Sequence, residues 1–124
     1  MTVRASPGVR VKVRVAATGR VLARAELAAT PLRRLRGLLG RDGLAAGDGL
    51  VIDPCSSVHT CFMRFPIDLL FIDRDGRVLR AAENVGPFRF VSGGRGARRT
   101  IELPAGTIAN AKVAPGATLA LDPA

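Results

Sequence analysis

The sequence has no Trp and no Tyr, one His, two Cys, and only two Lys among its 19 basic residues. Each shortage excludes something. With no Trp or Tyr, and five Phe in 124 residues, the chain lacks the aromatic platforms that nucleic-acid binders usually add to a basic surface. Two Cys do not make a disulfide scaffold, and a domain of this length needs none. A Cys55–Cys61 bridge is disfavoured too, because bridged Cα atoms lie within about 7 Å and an extended segment between them is longer. No apolar run approaches the ~18 residues of a membrane-spanning helix. The opening MTVRASPGVRVKV has no apolar signal-peptide core. The expectation is a cytoplasmic chain without a transmembrane segment, monomeric or weakly oligomeric. Residues 1–8 would form a flexible N-terminus and residues 9–124 one domain.

What is abundant is Arg, with 14 Gly and 8 Pro, a composition typical of GC-rich coding. The net charge of +9 is unevenly placed. Residues 1–41 carry ten bases against Glu26 alone, whereas residues 42–124 carry nine bases and nine acids. The basicity is an N-terminal feature on a neutral body.

Val9, Val11, Val13 and Val15 alternate with Arg10, Lys12 and Arg14, the period-two pattern of a half-buried strand with a cationic face. Thr18-Gly19 turns the chain into a partner strand over Arg20–Leu27. Thr30-Pro31 has the N-cap and first-turn residues of a helix, and leucines at helical spacing place one short helix near residues 31–40. Short strands follow at Leu50–Ile52 and Val58–Met63. Leu69–Ile72 and Arg77–Ala82 flank the hairpin turn Asp73-Arg74-Asp75-Gly76. Gly86–Gly96 is expected as a long Gly-rich loop, Arg99–Leu103 as a strand, Pro104–Thr107 as one helical turn, and Ala117–Leu121 as the last strand. Many short strands at close turn spacing predict a mainly β fold. The form expected is a single-domain β-sandwich or small barrel of short antiparallel strands with that one helix.

Reactive side chains concentrate between Cys55 and Asp68. If Val58–Met63 is extended, His59, Cys61 and Met63 share a face, and His with thiolate suits zinc or Cu(I). The spacing is that of half a site, so His59 and Cys61 remain a metal or nucleophile alternative and no cofactor is expected. His59 and Asp68 could also form an orienting pair, or Asp68 could pair with Arg64 or Arg41 as a structural anchor.

Three stretches resemble the bacterial and archaeal family called domain of unknown function 192. They are Arg34-Leu35-Arg36-Gly37-Leu38-Leu39-Gly40-Arg41, the run from Val58 through His59-Thr60-Cys61-Phe62-Met63-Arg64-Phe65-Pro66-Ile67-Asp68 to Asp73, and Ile101-Glu102-Leu103-Pro104-Ala105-Gly106-Thr107. The similarity extends from about Val11 to Leu121. It implies a mainly β, sandwich-like fold and no particular activity. Cys61 stands where the family usually has an aromatic or small apolar residue, which argues against a metal role there.

The expected function is a small non-catalytic ligand- or partner-binding domain that recognises an anionic group. Its candidate surface is His59, Thr60, Met63, Arg64 and Asp68, with Arg34, Arg36 and Arg41 nearby. The partner would be a small anion or a protein. Specific nucleic-acid recognition is disfavoured, and polyanion or anionic-membrane attraction through the N-terminal basic strand is the remaining alternative.

Overall fold

The structure, a computed structural model, describes residues 9–28, 44–61 and 63–124. The expected helix near residues 31–40, with Arg34, Arg36 and Arg41, and residues 1–8 lie outside these residues. Among the described residues the strands are β1 (Arg10–Val15), β2 (Val21–Ala28), β3 (Asp48–Ile52), β4 (Ser57–His59), β5 (Ile67–Ile72), β6 (Val78–Val85), β7 (Phe90–Ser92), β8 (Arg99–Pro104) and β9 (Leu119–Pro123). One short helix, α1 (Thr107–Ala111), precedes β9. The fold is mainly β, as the strand spacing predicts.

Seven strands form one sheet in the order β6-β5-β8-β3-β2-β1-β9, curled into a half-barrel, and β4 and β7 form a separate two-stranded ribbon. The strands pair antiparallel, as expected, with one exception. β2 and β3 run parallel, with Arg24 opposite Asp48 and Ala28 opposite Ile52. Parallel neighbours need a crossover of a dozen or more residues, and residues 29–47 supply that length.

The period-two pattern decides what each strand buries. Leu70 and Ile72 of β5 join Ile101 and Leu103 of β8, Val51 and Val13 in one core. Ile67, Leu69 and Phe71 point the other way, into a second core with Leu50, Ile52, Met63, Phe65 and Val91. All six residues of β5 are buried, because both faces of this strand are covered. α1 adds Ile108 to the first core.

The curled sheet is stitched at one end. The Leu119 amide donates to the Gly76 carbonyl at 2.8 Å, the Val78 amide to the Ala117 carbonyl at 2.8 Å, and Arg77 bridges Thr118. Gly76 has φ +90, and a Cβ there would collide with the Leu119 backbone oxygen. The glycine of the Asp73–Gly76 turn thus serves the seam as well as the hairpin.

The cationic face of β1 is partly answered by acids from distant segments. Arg14 donates through Nε to Asp122 Oδ2 at 2.9 Å, and Arg10 lies 3.9 Å from Asp48. The hydrogen bond from Arg14 holds the Asp122 carboxyl below the usual carboxylate range, and the guanidinium is raised in turn. Among the described residues no helix is long and apolar enough to cross a membrane.

Candidate functional site

The motif that dominates the sequence is folded in three different ways. Its first part, β4, pairs antiparallel with β7, so that His59 lies opposite Phe90 and Val58 opposite Val91. Val58 and Val91 are buried, and His59 and Phe90 are exposed. The ribbon therefore has one face on the second core and one face outward, by the same alternation that governs any strand pair.

Its second part departs from the expected strand over Val58–Met63. β4 stops at His59, and the Met63 amide donates to the Thr60 carbonyl at 3.1 Å, closing a turn at Cys61. Thr60 acts as a buckle between this turn and residues 86–89. Its hydroxyl donates to the Gly86 carbonyl at 2.6 Å and accepts from the Arg89 amide at 2.9 Å. Its own amide donates to the Arg89 carbonyl and its carbonyl accepts from Phe88. With the turn, the shared face of His59, Cys61 and Met63 disappears. His59 is exposed, Cys61 is half-buried, and Met63 packs into the second core. Both cysteines are free thiols. Among the described residues no three His, Cys, Asp or Glu side chains gather as a metal site would require.

The third part contains Asp68, which is wholly buried in β5. Its Oδ1 accepts from the Asn84 amide and its Oδ2 from the Ile108 amide, both at 2.8 Å. The carboxylate ties β6 and α1 to the centre of the sheet through these two backbone amides, and Arg41 lies outside the described residues. The expected His59–Asp68 pair is not formed, because one side chain faces solvent and the other the core. Arg64 is exposed.

What the structure adds beside His59 is a pair of exposed aromatic rings. Phe88 and Phe90 are 75% and 71% exposed, with exposed Arg89 between them. Phe88 is held at φ 59, in the left-handed region that a bulky residue rarely adopts. The segment expected as a Gly-rich loop is thus half structural. β7 forms because Thr60 pins residues 86–89 and Arg80 donates to the Ser92 carbonyl at 2.8 Å. The sequence signal was the alternation Phe88, Phe90 against Val91, too short to separate a strand from a loop.

The family profile of DUF192, described as "Uncharacterized ACR", matches residues 10–121. A crystal structure from Sinorhizobium meliloti 1021, described as that of a candidate transcription regulator, is 30% identical. It aligns over 91% of this chain and 92% of its own, with a TM-score of 0.75. A protein of unknown function from Novosphingobium aromaticivorans DSM 12444 shares the fold at 24% identity and a TM-score of 0.77, over 95% of this chain and 90% of that one. Comparison with curated proteins finds no match.

Proposed function

The chain belongs to the DUF192 family, and from that premise we propose that it is a non-catalytic binding module. It docks an acidic, partly apolar segment of a partner protein on the outer face of the β4–β7 ribbon. The observation that carries this reading is the exposure of Phe88 and Phe90 on a surface that also presents His59 and Arg89. Covering a phenylalanine side chain is worth roughly 1.5–3 kcal/mol, so two rings left in water are a large unused contribution to binding. Arg89 between the rings gives the partner's carboxylates charge-assisted hydrogen bonds. The buckle at Thr60 holds the rings in place before the partner arrives, which lowers the ordering cost of association.

A second reading, single-stranded nucleic-acid binding, draws on the same rings, because bases stack on aromatic faces flanked by Arg. The description of the Sinorhizobium relative points in that direction. One experiment separates the two. Peptide display on the purified protein should enrich acidic sequences with apolar positions, and the double variant Phe88→Ser/Phe90→Ser should lose the enrichment. Because both rings are exposed, the variant's stability should stay within about 0.5 kcal/mol of the parent. Equal enrichment on parent and variant would sink the proposal. Anisotropy of a labelled oligonucleotide that responds to the same variant, with no peptide enrichment, would replace it with the second reading.

A further inference from the structure

A second concentration of unanswered charge lies away from the ribbon face, where the β5–β6 hairpin approaches the start of β8. Arg74, Gly96, Ala97, Arg98 and Arg99 line an open cleft of about 540 Å³. Consecutive residues entering a strand ordinarily point to opposite sides. Arg98 and Arg99 do not, because one carboxylate gathers them. Arg98 Nε donates to Asp53 Oδ1 at 3.3 Å, and Arg99 Nε to Asp53 Oδ2 at 2.8 Å. Asp53 itself is buried, and its amide is held by the Ala28 carbonyl at 3.1 Å. The Arg98 backbone is clamped from both sides, its amide on the Ile72 carbonyl and its carbonyl on the Cys55 amide, each at 2.8 Å.

Among the described residues the side-chain hydrogen bonds of these two arginines run through Nε alone, and Arg74 makes no side-chain hydrogen bond or ion pair there. Three guanidiniums against Asp53 and Asp75 leave the two adjoining clefts net positive, with the arginines gathered on one side. A phosphate monoester carries about −1.5 to −2 at pH 7 and presents three strong acceptors, whereas a carboxylate carries one negative charge. A neighbouring cleft of about 310 Å³ shares Arg74, Arg99 and Asp53, and its other walls include Val11, Leu27 and Leu121. Asp75 also lines it and opposes a second anionic group there.

We propose that the Arg74–Arg98–Arg99 cleft binds a small phosphate monoester. The phosphate sits on the arginines that Asp53 gathers, and the ester's apolar body rests against Leu27 and Leu121. This site is independent of the proposed ribbon contact, so either can fail without the other.

Phenyl phosphate is the probe, titrated at physiological ionic strength by calorimetry and amide chemical shifts, with benzoate as the monoanionic control. Saturable binding of phenyl phosphate, with benzoate weaker, is expected. Arg74→Gln and Arg98→Gln should each weaken it about tenfold, the loss of one charge-assisted contact. Arg74 has no hydrogen-bond or ion-pair partner among the described residues, so that variant should melt like the parent. Arg89→Gln, on the ribbon face, should bind phenyl phosphate as the parent does. Failure to saturate, benzoate binding as tightly, or equal weakening by Arg89→Gln would each overturn the proposal.

Discussion

Asp68 and Asp53 are both buried aspartates, each with both oxygens occupied, yet they organise their surroundings in opposite ways. Asp68 fills its two oxygens with the amides of Asn84 and Ile108, the second of which is buried. Asp53 spends its acceptors on the Nε groups of Arg98 and Arg99, and the outer edges of both guanidiniums still face the cleft. The first region is a closed account of polar groups and the second an open one. Part of a conspicuous motif can therefore be a strut, while an unremarkable Arg-Arg pair in a strand entrance keeps donors turned to an open cleft.

The contrast is most sharply tested by removing each carboxylate. Asp68→Asn keeps one acceptor but turns an NH2 toward a buried amide. Guanidinium denaturation should show a loss of about 2–4 kcal/mol, from one or two orphaned buried donors. Phenyl phosphate binding by the folded fraction should be unchanged. Asp53→Asn should cost less, about 1–3 kcal/mol, because Arg98 and Arg99 reach solvent when released. Its effect on binding is the decisive part. The substitution adds one net positive charge, so simple attraction predicts tighter phenyl phosphate binding. A site built by gathering the arginines predicts weaker binding, and that is the expected result.

The smallest effect belongs to a third aspartate, Asp122, which faces solvent beside Arg14. Its carboxyl is lowered by the Arg14 hydrogen bond, so its contribution to stability is present above the unfolded-state value and lost as pH falls through the lowered one. The difference in melting temperature between the parent and Asp122→Asn should be small at neutral pH. It should shrink in high salt and vanish in acid. A difference that persists in acid would show that the substitution acts through packing.

Much of the fold was legible because its signals are local. The Val9–Val15 alternation became β1, Asp73–Gly76 became the β5–β6 hairpin, and the Pro104–Thr107 cue lies at the start of α1. Each of these needs only neighbouring residues to declare itself. β7 was illegible because three residues in a Gly-rich stretch become a strand only through β4 and the Thr60 buckle. The role of Asp68 was illegible for the same reason. Its partners come from positions 16 and 40 residues away, and an Asp in the same motif as a lone His carries no mark of which way it will point. The aromatic surface escaped notice because phenylalanine is ordinarily a core residue, and only the packed structure distinguishes Phe65 inside from Phe88 and Phe90 outside.

The scarcities of the sequence thus held their meaning unevenly. By itself the sequence determined a mainly β chain, free of disulfides among its two cysteines, and its membership of a family through contiguous motifs. Periodicity, turn chemistry and motif order are properties of the line. Tertiary structure alone decided that β2 and β3 run parallel, that the lone His faces solvent while Asp68 is sealed inside, and that Arg74 meets Arg98 and Arg99 on one cleft. Burial and charge grouping depend on which distant segments exclude water together, and no stretch of chain carries that information alone.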